Sequence, residues 1–385
     1  MPIKNRIADL QPEIAAWRRE LHQHPEILFD THRTSAFVAE KLRAFGCDEV
    51  VTGIGRTGVV GVIRGKTAGP AIGLRADMDA LPIFEETGAA WASQTEGAMH
   101  ACGHDGHTAM LLGAARYLAE TRNFAGTAVV IFQPAEEGGG GGREMCADGL
   151  MERWQIAEVY GMHNWPGLPL GEFAIRSGAF FAATDQFDIT ITGRGGHAAK
   201  PHETVDPTVT ASQIVLALQT IASRNVDPVR QVVVSVTSFE TSSTAFNVIP
   251  ASVRLKGTVR SLDDDTRAFA EERIRALVPA IAGGMGATAE ITYFHGYPVM
   301  VNTPDETAFA AEVATAVSGS CGEAPLVMGG EDFAFMLQER PGAYIVVGNG
   351  DSAGLHHPAY DFNDEAIFAG SSYWVELIER RLPVA

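Results

Sequence analysis

Residues 126–133, GTAVVIFQ, form an unbroken apolar run far too short to cross a bilayer. A strand of that kind must be covered on both faces, and sheets covered on both faces are built largely from parallel strands with helices on either side. AEVYGMHN (157–164) repeats the pattern, and shorter strand-like runs occur at 58–63 (GVVGVI) and 71–76 (AIGLRA). Helical spacing lies between and before them. The first residues place Ile7, Leu10, Ile14, Trp17 and Leu21 on one side of an amphipathic helix. RTSAFVAEKLRAFG reads as a helix stopped at Gly46, and HTAMLLGAARYLAE as one with Leu111, Leu112, Ala115 and Leu118 on a single buried face. This alternation predicts an α/β fold whose mixed, mostly parallel sheet carries functional residues at its strand ends.

The pattern changes near residue 184. FDITITG, RQVVVSVTSFE, ASVRLKGTVRSL and ATAEITYFH alternate as half-exposed strands do, and two helices are interleaved with them. One begins at Asp206-Pro207, and the other carries Asp263, Asp264 and Asp265 at its positive end. The order is β-α-β-β-α-β, a ferredoxin-like α+β unit. After residue 297 the chain returns to mixed α/β, with a strand at AYIVVGNG and a long C-terminal helix. The expected organisation is a large discontinuous domain, 1–183 and 297–385, with a small domain, 184–296, inserted into it.

A length of 385 residues suits two or three domains. The net charge of −18 argues against nucleic acid and anionic membrane surfaces as partners, since both demand basic stripes. Four unpatterned cysteines argue against a disulfide framework, and no run of eighteen apolar residues exists. A soluble cytoplasmic protein is the expectation.

Some motifs mislead. GIGRTG (53–58) matches the dinucleotide fingerprint but is followed by VVGVI, a strand, where that fingerprint requires a helix; a hairpin turn is expected. GGGGGR (138–143) lacks the Lys-Ser/Thr of a phosphate loop and reads as a place where backbone passes close to other atoms. HETVD (202–206) ends in Asp206 where a zincin helix needs histidine, and no G-x-S-x-G is present. The H-x-E and P-C-x-x-C pair of nucleobase deaminases is also absent.

HACGHDGH (100–107) is different in kind. Cys102 and His104, separated by one glycine, offer a thiolate and an imidazole, good ligands for zinc-like ions. Alone the pair would read as a buried cysteine before a helix. It has company: Glu136 and Glu137 follow the apolar strand 126–133, His163 ends the second such strand, His356 and His357 lie near the C-terminus, and Asp77 and Asp79 follow a third strand. Adjacent residues on extended backbone point opposite ways, so Glu136 and Glu137 suit different tasks, one binding metal and the other handling a proton. The chemistry suggested is metal-assisted hydrolysis, in which an ion activates water and a carboxylate moves the proton.

The stretches LHQHPE (21–26), LRADMDALPI (74–83), HACGHDGHTAMLLGAA (100–115), IFQPAEEGGGG (131–141), MHNWP (162–166), GRGGHAAKPHETVDP (193–207), FNVIP (246–250), GGEDFAFM (329–336) and LHHPAYDFND (355–364) resemble, in order and along nearly the whole chain, the M20 metallopeptidase family, in its aminoacylase, hippurate hydrolase and auxin-conjugate amidohydrolase branch. The resemblance implies two divalent ions per subunit (zinc, manganese, cobalt or nickel) held by Cys102, His104, Glu137, His163 and His356. It implies Glu136 as general base and then acid, a role that wants a carboxylate whose pKa can rise in a closed site. It makes the inserted domain a lid and dimerisation module, whose His197 reaches a catalytic centre, commonly the partner subunit's, to polarise the scissile carbonyl. Asn247 and Arg260 are candidates for gripping the substrate's carboxylate, and Asp77 and Asp79 for orienting ligands. The implied reaction is hydrolysis of N-acyl-L-amino acids by a homodimer or homotetramer. The alternatives are an M20 dipeptidase or aminopeptidase-type hydrolase, against which Cys102 speaks, and a non-catalytic metal- or ligand-binding protein, which the retention of Glu136 and all the ligands opposes.

Overall fold

The structure, a computed structural model, describes residues 2–384. Two compact units emerge, the first comprising the described residues through Gly178 together with Val301–Pro325 and Asp332 onward, the second Ala179–Met300 and Leu326–Glu331.

The first unit is built on an eight-stranded sheet. Its strands include β1 (Glu49–Ile54), β2 (Gly58–Arg64), β3 (Thr67–Asp77), β4 (Ala125–Gln133), β5 (Ile156–Pro166) and β6 (Phe173–Ile175). The order is β1-β2-β4-β3-β5, then Gly342–Gly350, β6 and Cys321–Glu323. β4, β3, β5 and Gly342–Gly350 run parallel, with antiparallel pairings towards β1 and β2 and between Gly342–Gly350 and β6. The apolar runs read as doubly covered strands are so: Ala128–Phe132 and Val159–Met162 are buried throughout. GIGRTG is the β1–β2 hairpin turn, Ile54 pairing with Gly58 and Gly53, Gly55 and Arg56 taking positive φ.

Helices cover the sheet. Helix α1 (Pro2–Gln23) buries Ile7, Leu10, Ile14, Trp17 and Leu21 as its spacing predicts, and α2 (His32–Ala44) lies against β1 and β2. Helix α3 (His104–Thr121) departs from expectation. It is buried not along one face but all round, from His104 through Ala115 without a break. It packs against α1 on one side, the helix Ala366–Arg381 on another and β3 beneath. Small residues permit this: a Cβ on Gly106 would overlap Phe362, and one on Gly113 would overlap Ile14. A helix enclosed on every side has no single apolar stripe for periodicity to reveal.

The second unit holds a four-stranded antiparallel sheet in the order Val232–Thr241, Ser252–Ser261, Ala183–Thr192, Thr288–His295, with the expected β-α-β-β-α-β connectivity. Helices Pro207–Thr220 and Asp264–Gly284 bury Ile214, Leu218, Ile274 and Val278 with Phe187, Ile189, Ile191, Val253 and Leu255 of the strands. Both helices start where the sequence places a cap: Asp206 accepts the N–H groups of Thr208 and Val209, and Asp263 that of Thr266. His202, of the zincin look-alike, falls in a single 3₁₀ turn, Pro201–Glu203, exposed to solvent.

Among the described residues no helix is long and apolar enough to cross a membrane, and all four cysteines are free.

Candidate metal centre

Parallel strands β3, β4 and β5 end side by side, so the segments that follow them converge. β3 ends in Asp77, with Asp79 two residues on; β4 leads through Pro134 and Ala135 to Glu136 and Glu137; β5 carries His163 and Asn164 near its end. Cys102 and His104 arrive from the loop that opens α3, where Gly103 at φ +84° makes the sharp turn between them. A side chain at Gly103 would collide with Asn164 and with the hydroxyl of Tyr360.

The expected ligands are brought together. The donor atoms of Cys102, His104 and His163 lie within 4.8 Å of one another, as do those of Cys102, Glu137 and His356, and those of His104, Glu136 and Glu137. Cys102 Sγ stands 3.4 Å from His163 Nε2. Two such atoms bound to one tetrahedral zinc-like ion would be roughly 3.5 Å apart, given metal–sulfur and metal–nitrogen bonds of about 2.3 and 2.0 Å. His356 Nε2 lies 3.1 Å from Glu137 Oε1, and its backbone is held at φ +64° while its N–H bonds to Ala101 O. His357 instead uses Nδ1 to accept the N–H of Ala359.

Two of the imidazoles are oriented from behind. His104 Nδ1 is 3.3 Å from Asp79 Oδ1, and His163 Nδ1 donates to Asn164 O at 2.6 Å. Both therefore aim Nε2 into the cluster, the arrangement in which an outer carboxylate or carbonyl fixes the tautomer of a metal-binding histidine. His104 Nε2 is buried without a hydrogen-bond partner. An orphaned polar atom is costly inside a protein, and a bound cation would satisfy it. Thiolate, imidazole and carboxylate donors converging around such an atom fit a pair of divalent ions.

Asp79 does more than orient His104. Its carboxylate accepts the N–H groups of Glu136 at 3.0 Å and Glu137 at 3.1 Å, setting the turn that carries both. Asp77 accepts from Arg75 at 2.7 Å and lies 2.5 Å from His107 Nδ1.

The electrostatics show what this arrangement costs without a cation. Burial opposes charge on His104, but Asp77, Asp79 and Glu137 outweigh it and raise its pKa to about 10. Burial, with Glu137, Glu136 and Asp77 adding to it, pushes the Cys102 thiol well above its ordinary value. Burial and the neighbouring His107 hold His163 neutral, well below the usual imidazole range. A divalent cation reverses these preferences for Cys102 and His104, because its own charge favours the thiolate and the neutral ring.

The remaining candidates belong to the second unit. His197 sits on the short strand Gly196–His197, paired with Val248–Ile249, and is exposed. Asn247 is its neighbour there, its carbonyl accepting the N–H of Ala198 at 3.0 Å. Arg260, half-buried on Ser252–Ser261, donates to Thr258 Oγ1 and to Val259 O. His197 and Asn247 thus share one ribbon, whereas Nη1 of Arg260 is held by its own strand.

Several residues that shape the centre carry no role in the sequence reading: Arg75, His107, Gln133, Asn164, Asp332 and Tyr360. Arg75 spans Gln133 Oε1 at 2.9 Å, Asp77 Oδ2 at 2.7 Å and Asp332 Oδ1 at 2.9 Å, all buried. His107 is the one with a visible signal, being the third histidine of HACGHDGH.

Comparison with known proteins agrees with this geometry. Residues 73–380 match peptidase family M20/M25/M40. The chain is 42% identical over 375 residues to a hippurate hydrolase of Campylobacter jejuni, covering 96% of this chain and 97% of that one. It is 38% identical over 361 residues to an N-acetylcysteine deacetylase of Bacillus subtilis, covering 94% of each. Among solved structures, a dinuclear metal-binding peptidase of family M20 from Bacillus subtilis superposes with a TM-score of 0.86 at 34% identity, covering 98% of this chain and all of that one.

Proposed function

The chain belongs to peptidase family M20/M25/M40, and from that premise we propose that it is a metal-dependent amidohydrolase cleaving N-acyl-L-amino acids to a carboxylate and a free amino acid. The observation that carries the reading is the buried meeting of Cys102 Sγ and His163 Nε2 beside the orphaned His104 Nε2 and the contact of Glu137 with His356. Hippurate and N-acetylcysteine, the substrates named for two relatives, share an acylated amino acid with a free carboxylate.

In this reading Cys102, His104, Glu137, His163 and His356 hold two divalent ions, drawn from zinc, manganese, cobalt or nickel. Ions bound there supply a Lewis acid for the amide carbonyl and acidify water. The chain's own residues do the rest. Glu136, on the turn set by Asp79, takes the proton from the attacking water and returns it to the leaving nitrogen. His197 donates to the carbonyl oxygen as charge develops there, and Asn247 and Arg260 receive the substrate's carboxylate. The protein acts in the cytoplasm as a homodimer or homotetramer, a state that light scattering would read directly.

The test is a substrate panel under metal control. The protein is stripped with chelator, restored with each ion separately, and assayed for amino acid released from hippurate, N-acetyl and longer N-acyl amino acids, and plain dipeptides. Metal-dependent release from acyl amino acids, with dipeptides poor, is expected. A preference for dipeptides would move the protein to the peptidase reading, and silence with every ion would leave the substrate unknown and revive the non-catalytic reading.

A further inference from the structure

Asn164 is fully buried, and each of its polar groups is bonded to a segment that bears on the metal centre. Its side-chain Nδ2 donates to the carbonyl of Cys102 at 2.7 Å and lies 3.0 Å from His107 Nε2. Its backbone N–H donates to the same His107 nitrogen at 2.9 Å, and its carbonyl accepts from His163 Nδ1 at 2.6 Å. Its Oδ1 accepts the hydroxyl of Tyr360, also fully buried, at 2.7 Å. One residue thus ties the Cys102 loop, the His163 ring, the start of α3 and the segment that follows His356.

The chemistry of the amide matters. An asparagine side chain offers two N–H donors and one carbonyl acceptor, and here both ends are used. Because His107 Nε2 faces N–H donors, it is the bare nitrogen of that ring. Nδ1 then carries the proton and donates to Asp77 Oδ1 at 2.5 Å. An aspartate of the same shape would set an acceptor against the Cys102 carbonyl and the bare His107 nitrogen, breaking two bonds at once. The fit is tight, since Gly103 has no space for a Cβ between Asn164 and Tyr360.

We propose that Asn164 is the positioning residue of this centre: its side chain, bonded to the Cys102 carbonyl, to His107 and to Tyr360, holds the Cys102 thiol beside the His163 ring before any ion arrives. The proposal rests on the metal-centre reading above. Binding an ion to a site whose donors are already placed avoids the ordering cost that a looser site must meet. Losing an outer partner of this kind lowers metal affinity by about 10–100-fold.

The experiment uses cobalt(II) as probe, with two readouts besides turnover: affinity by chelator competition, and the thiolate-to-cobalt charge-transfer absorption, which reports whether Cys102 is bound. Asn164→Asp and Asn164→Leu, shown to be folded by circular dichroism, are expected to bind cobalt about 10–100-fold more weakly and to lose intensity in the thiolate band. An unchanged affinity or an unchanged band in either folded variant overturns the proposal. If neither variant folds, Tyr360→Phe decides: removing only the hydroxyl that anchors Asn164 Oδ1 is expected to weaken cobalt about fivefold, the worth of one hydrogen bond, and an unaltered affinity overturns the proposal. Failure of the unsubstituted protein to bind cobalt with a thiolate band would refute the metal-centre reading itself, which separates the two failures.

Discussion

Replacing Arg75 by methionine keeps an unbranched chain of similar reach and deletes one charge. In the folded protein that charge sits fully buried between two fully buried carboxylates, Asp77 and Asp332, and donates to Gln133 as well. Asp332 retains Gln133 Nε2 at 2.7 Å and the N–H of Gly142 at 2.8 Å, and Asp77 retains His107. Neither would retain Arg75. Removing one member of a buried ion pair costs about 3–5 kcal/mol, because the other is left in a medium that solvates it poorly. Against a total stability of roughly 5–15 kcal/mol this is a large share. At about 2–4 °C per kcal/mol for a domain of this size, the melting temperature should fall by roughly 6–20 °C. Calorimetry on parent and variant, both stripped of metal, measures it. A fall of less than about 1 kcal/mol would refute the argument that this charge anchors the strand ends.

Three further outcomes are expected. Glu136→Ala should keep its metal, read by elemental analysis, and lose about 10²–10⁴-fold in kcat, the worth of a proton shuttle; near-normal turnover would remove Glu136 from that role. His197→Ala should spare metal content and slow turnover, and poor metal binding would instead make His197 a ligand. For His22, burial opposes charge, yet Asp105 at 2.8 Å and Glu85 raise its pKa to about 9. Its stabilising contribution is therefore complete below the unfolded value near 6.5 and is lost as pH rises through about 9. His22→Asn should be least stable relative to parent at pH 6 and converge on it above pH 9.5 in urea unfolding; a constant difference across that range would contradict the assignment.

Much of the site was legible because its signals are local. Cys102 and His104 stand two apart, Glu136 and Glu137 are neighbours, and His163 terminates an apolar strand. Strand ends could be read from composition, and in a parallel sheet the ends point the same way. The fold class followed from the same alternation, as did the capped helices of the second unit. Periodicity failed at α3, whose complete enclosure depends on three partners from different parts of the chain.

The sequence by itself determined which residue types were available for chemistry and that they would lie at strand ends, since both depend on near neighbours and on a repeating apolar pattern. Only the tertiary structure decided how those residues are held. Arg75 meets Asp332 across 257 positions, and Asn164 meets Tyr360 across 196. No local pattern encodes such pairings. They arise from the order in which β4, β3, β5 and Gly342–Gly350 lie in the sheet, and from the burial that leaves each polar group only those partners the packing brings within reach.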